Sequence, residues 1–110
     1  MWIFAKHGFL SLVQHENYPY HLLVRGRVGG DIQHYFPDAK VMRTEKRDYL
    51  YRTVLPKEQV AKRIALAIEQ IDYCGALGTS FKSSITDKRR APYYSNVWDT
   101  MWEMQDRLKA

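Results

Sequence analysis

Hydrophobic residues change period along this chain, and the changes mark out its elements. From Trp2 to Gln14 most residues are aromatic or branched, which predicts a strand, and Gly8 in its middle marks a bulge or a close backbone approach. After the turn His15 to Pro19, the segment Tyr20 to Val28 alternates. Leu22, Val24, Gly26 and Val28 point one way and Leu23, Arg25 and Arg27 the other, as in a half-buried strand with a basic outer face. Gly29-Gly30 breaks that pattern, and Asp31 is placed to cap a short helix over Ile32 to Phe36 that Pro37 stops. Ala39 to Thr44 and Tyr49 to Leu55 read as third and fourth strands joined by the charged tip Glu45 to Asp48. In the fourth, alternation puts Tyr49, Tyr51 and Thr53 on one face and Leu50, Arg52 and Val54 on the other.

Pro56, with Glu58 in the first turn, opens the main helix, whose apolar stripe is Val60, Ile64, Ala67, Ile68 and Ile71. A last helix starts near Pro92 or Ser95 and carries Tyr94, Val97, Trp98, Met101 and Trp102 along one side. Its tryptophans either complete the core or form a surface for a partner or a second copy. The order strand, strand, helix, strand, strand, helix, helix predicts an α+β fold. We expect a four-stranded antiparallel sheet with helices on one face, equivalent to a circularly permuted ferredoxin-like unit whose last strand has moved to the front. A single domain over 1–110 is expected from the length.

Composition narrows the setting. At 45% hydrophobic and 26% charged residues the chain is globular, and its +5 formal charge favours anionic partners and argues against an acidic nucleic-acid mimic. With 1 Cys in the sequence, Cys74, no internal disulfide, zinc ribbon or redox pair can form, which points to the cytoplasm. The first residues lack a basic n-region or a cleavage site, and no apolar run approaches the roughly 20 residues that span a bilayer, so no membrane partner is expected. A chain of this size has only a modest core, which leaves homodimerisation open.

Candidate chemistry concentrates in two places. The segment Cys74 to Pro92 has no strong periodicity and is predicted to be a long loop, bearing Thr79, Ser80, Lys82, Ser83, Lys88, Arg89 and Arg90 with Asp87 as its acid. Loops beyond about 12–15 residues are usually functional or disordered. Its Gly75 to Ser80 run follows a helix and lacks the Gly-Lys-Ser or Gly-Lys-Thr ending of a nucleotide-hydrolase loop, so its chemistry is generic anion contact. The second place is a sheet face on which Arg25, Arg27, Tyr49 and Tyr51 combine guanidinium groups with rings, a combination that suits single-stranded nucleic acid. The histidines His7, His15, His21 and His34 fit no metal-ligand spacing, and only His7 and His21 are expected to face each other across strands. His7, or His34 beside Tyr35, is the candidate acid or base. Cys74 follows a helix C-terminus, where the dipole disfavours a thiolate.

MWIFAKHGFLSLV at the start, DYLYR at Asp48 to Arg52, IDY at Ile71 to Tyr73 followed by FKSSI, and YYSNVWDTM near the end occur in that order. Together they resemble a widespread family of short bacterial and phage proteins carrying M-W-x-x-x-x-G-F-x-S-x-V, D-Y-x-Y-R, I-D-Y-x-N-F-K and Y-x-x-V-W-x-x-M. The resemblance covers nearly the whole chain, departs from the family at the longer connection Cys74 to Ser80, and brings no catalytic residues with it. It implies a shared site among Trp2, Gly8, Phe9, Ser11, Asp48, Tyr49, Arg52, Asp72, Tyr73, Phe81, Lys82, Tyr94 and Trp98, and a role in the contest between phage and host.

The expectation is thus a small basic, non-enzymatic binding protein of phage or mobile-element type, without cofactor or metal. Arg25, Arg27, Arg52, Lys82, Lys88, Arg89 and Arg90 would engage a nucleic acid, a nucleotide or an acidic protein surface. Asp48, Tyr49, Tyr51, Asp72 and Tyr73 would line a pocket, and the partner could belong to a defence system such as CRISPR-Cas. Two alternatives stand beside it: a metal-independent enzyme acting on a nucleotide or RNA, and an oligomerising module built on Trp98 and Trp102.

Overall fold

The computed structural model describes residues 1–73 and 81–109. The chain divides into two compact units, Met1–Asp72 and Tyr73–Ala110.

The first unit is mixed α+β, with β1 (Trp2–Ala5), β2 (Gly8–Gln14), β3 (His21–Gly26), α1 (Asp31–Tyr35), β4 (Met42–Arg43), β5 (Tyr51–Pro56) and α2 (Lys57–Glu69). Its strands form one antiparallel sheet in the order β1-β2-β3-β5-β4. The sheet has five strands rather than the expected four, because the single strand read over Trp2 to Gln14 is a hairpin, with Ala5 paired to Gly8 across Lys6 and His7. Neither turn residue has positive φ, so the turn carries none of the Asn-Gly or Gly-X marks of common two-residue hairpin turns. Gly8 serves a close approach: a Cβ there would lie 2.6 Å from the Asp31 Cγ.

The core lies on one sheet face. Leu10, Leu12, Val24 and Leu55 meet Ile32 and Phe36 from the α1 region and Val60 from α2, so both helices of this unit cover the same side. Burying each such side chain is worth about 1.5–3 kcal/mol. The short helix matches its sequence pattern, with Ile32 and Phe36 buried and Gly30 at φ 95 leading into it. Asp31 makes no cap; its buried carboxylate accepts the Phe9 N–H at 3.0 Å and ties α1 to the start of β2. The stripe expected on α2 is buried only at its beginning: Val60 is in the core, Ile64 is half-buried, and Ile68 and Ile71 are exposed.

The link into β5 departs from simple alternation. Thr44 donates its hydroxyl to the Tyr49 carbonyl at 2.8 Å, while its backbone N–H bonds the Leu50 carbonyl at 2.7 Å. This closed loop keeps Tyr49 outside β5, which starts at Tyr51. Tyr49 therefore does not share a face with Tyr51 and Thr53.

In the second unit the segment predicted as a loop without structure contains α3 (Phe81–Ser84) and a 3-10 turn over Lys88–Arg90, and α4 (Ala91–Leu108) follows, with Pro92 in its first turn. The anion contacts expected of Gly75, Gly78, Thr79 and Ser80 fall outside the described residues. Phe81 stacks on Tyr94 with ring centroids 5.9 Å apart and contacts Tyr73 at 5.5 Å. Trp98 and Trp102 stack on each other at 5.4 Å and are 55% and 60% exposed, so they do not complete the core.

Candidate anion-binding face

The sheet face opposite the core carries one row of directly paired residues across every strand. Trp2 pairs with Ser11, Ser11 with Arg25, Arg25 with Arg52, and Arg52 with Met42. Two apolar side chains, both mostly exposed, thus bracket a hydroxyl and two guanidinium groups.

The cations are organised around Tyr49. Arg25 Cζ lies 4.3 Å and Arg27 Cζ 4.1 Å from the centroid of its ring, which is buried. Each contact of this kind is worth about 0.5–2 kcal/mol and holds a long side chain in place. Phe9 lies beyond, stacked at 6.5 Å from Tyr49 and edge-on to Trp2 at 6.1 Å. Arg25 Nη2 donates to the hydroxyl of fully buried Ser11 at 2.8 Å. Arg27 Nη1 donates to the Asp48 carbonyl at 2.7 Å, and Arg52 Nη2 reaches the Asp48 carboxylate at 2.9 Å.

This cluster is rich in donors and poor in acceptors. Of the three guanidinium groups, Arg52 meets the Asp48 carboxylate, while Arg27 bonds the Asp48 carbonyl and Arg25 the Ser11 hydroxyl. The Nε atoms of Arg25 and Arg52 are buried without a hydrogen-bond partner among the described residues. Like charges directly opposite each other on neighbouring strands are destabilising, and unmet donors add to that. An arrangement of this kind favours an anion at the exposed edge of the cluster, which would supply the missing charge.

The other sequence candidates lie elsewhere. Tyr51 faces the core side, near Gly29, where a Cβ would come within 3.1 Å of its hydroxyl, and the Arg43 guanidinium lies 5.8 Å from its ring. The expected sharing of one pocket by Tyr49 and Tyr51 is thus corrected by the register. Asp72 pairs with Lys6 at 3.5 Å. In the second unit, Tyr73 packs on Phe81, and Lys82 Nζ lies 5.4 Å from the Trp98 ring.

The basic triplet is held internally. Lys88 Nζ donates to the Ser83 carbonyl at 2.8 Å, and Arg89 grips Asp87 with bonds of 2.9 and 2.8 Å. Arg90 Nε lies 3.9 Å from the same carboxylate. Hydrogen bonds from the Arg89 side chain and backbone hold the pKa of the Asp87 carboxyl down at about 2.

The histidines pair differently from expectation. His7 sits in the hairpin turn and packs against His34 with tilted rings 3.9 Å apart, while its backbone N–H donates to the Tyr35 hydroxyl at 3.4 Å. Burial, then the neighbouring His34 and Lys6, lower the His7 pKa. His15 and His21 flank Tyr18 at 4.7 and 5.8 Å. Among the described residues no three His, Cys, Asp or Glu side chains are grouped to hold a metal ion, and no helix is long and apolar enough to cross a membrane.

Searches against family models, curated proteins and solved structures find no match to this chain.

Proposed function

We propose that this is a small basic binding protein, not an enzyme, that holds a phosphate-bearing partner at the sheet face opposite the core through Arg25 and Arg27, with Arg52 reinforcing the positive field. The observation that carries this reading is the Arg25–Arg52 pairing: two guanidinium groups directly opposite each other, one bonded to a neutral hydroxyl and the other sharing a single carboxylate. Arg27 is exposed at the edge of the cluster and is its point of first contact.

The basic triplet Lys88 to Arg90 is a second cationic region in this reading: its three cations share the Asp87 carboxylate and the Ser83 carbonyl, and the Arg89 side chain is exposed. We also read the β2-β3-β5-β4 part of the sheet as the permuted ferredoxin-like arrangement, to which β1 adds an edge. The resemblance to short phage and bacterial proteins directs the search for the partner toward phage nucleic acid and the host complexes that act on it.

The test is a salt series. Anisotropy of a fluorescein-labelled single-stranded oligonucleotide should report binding whose log–log salt slope is about −1.4 to −2, as expected for two to three neutralised phosphates. Binding that does not weaken with salt would contradict the proposal.

A further inference from the structure

The row across the sheet has a feature that the arginines do not explain: its ends are apolar and exposed. Trp2 is 65% exposed and Met42 64% exposed, although each faces the same side as the cationic centre. Neighbouring strands lie about 4.8 Å apart, so the row spans about 19 Å, with Trp2 about 10 Å from Arg25. The Trp2 indole is not loose, since Phe9 braces its ring edge-to-face at 6.1 Å and Phe9 itself packs against Phe4 with ring centroids 4.6 Å apart. A braced, open indole costs little to order and offers a flat face to a flat ligand.

We infer that the partner is single-stranded nucleic acid laid across the strands, with a base stacked on Trp2 and the adjoining phosphates on Arg25 and Arg27. This rests on the anion-binding reading of the same face and adds the recognition element to it. Tyr49 cannot serve as the platform, because two guanidinium groups already cover its ring and it is buried. Stacking on Trp2 is tolerant of sequence, since every base has a π-face, so the site distinguishes strands with bases from other polyanions rather than one sequence from another. A duplex, whose bases are already stacked on one another, gives Trp2 nothing to hold.

The experiment compares a single-stranded DNA oligonucleotide, an abasic oligonucleotide of the same length and poly-glutamate at low salt, using anisotropy or competition. The base-bearing strand should bind about ten-fold or more tightly than the abasic strand. Trp2→Ala should remove that difference while leaving abasic binding unchanged, and Trp2→Phe should restore part of it; circular dichroism checks that both variants fold. Equal binding of the two oligonucleotides to the unaltered protein, or a difference that survives in folded Trp2→Ala, would overturn the stacking inference and leave the anion reading standing. Failure of both oligonucleotides, or equally tight binding of poly-glutamate, would overturn both.

Discussion

Arg25 and Arg52 face each other across the β3 and β5 ladder, and of the two only Arg52 is bonded to the Asp48 carboxylate. Arg25 instead leans on a hydroxyl and a ring. The positive character of the face opposite the core originates in this imbalance.

Ser11 is the neutral prop of the cluster. Replacing it with alanine removes the acceptor of Arg25 Nη2 in a fully buried position and should destabilise the fold by about 1–3 kcal/mol in urea titration. Unchanged stability would show that the Ser11 contact is incidental.

Gly8→Ala tests the other side of the sheet. Its Cβ would meet the buried side chain of Asp31, which is anchored by the Phe9 N–H, so the neighbour cannot move without losing that bond. We expect a loss of about 1–3 kcal/mol in chemical denaturation. A neutral substitution would mean that α1 is free to shift away from β2.

The pH response just below 6.5 has its source in His7. Its pKa in the fold lies below the ordinary value of 6.5, so between the two values the unfolded chain binds more protons than the folded one. Stability should be complete above pH 6.5 and fall as the pH drops through that window, toward the lowered value. His7→Gln should flatten this slope in denaturation midpoints taken at several pH values; an unaltered slope would assign it to another group.

Trp98 and Trp102 should tolerate replacement. Both are exposed, and their mutual contact is an i,i+4 pair on one helix, worth about 0.2–0.5 kcal/mol. The double serine variant should therefore unfold within about 1 kcal/mol of the original protein. A larger loss, together with a change in sedimentation, would show that α4 is part of an oligomer interface.

Some of the fold and the face was legible in the sequence and some was not, for physical reasons. Strict alternation over Leu22 to Gly26 placed Arg25 on the face opposite the core, because period two leaves no freedom once one face is buried, whereas Arg27 lies past the end of β3 and reaches the cluster through the Tyr49 ring. Ile32 and Phe36, four apart before Pro37, likewise identified the buried side of α1. The same logic failed at Tyr49, where Thr44 closes a loop and the strand rule does not reach. It failed again at Lys6 and His7, whose turn carries no glycine or asparagine. The pairing of Arg25 with Arg52 depends on register between strands distant in sequence, which no local pattern encodes. Counting cations likewise does not reveal that Asp87 folds back on the triplet Lys88 to Arg90.

The most direct measurement sets the two basic regions against each other. Oligonucleotide anisotropy at low salt would be compared for the unaltered protein, an Arg25→Ala, Arg27→Ala variant and an Arg89→Ala, Arg90→Ala variant, each confirmed folded. The sheet-face variant should lose about ten-fold or more in affinity and show a salt slope shallower by about 1.4, while the triplet variant stays within about three-fold of the original. Loss of binding in the triplet variant, with the sheet-face variant unaffected, would contradict the account.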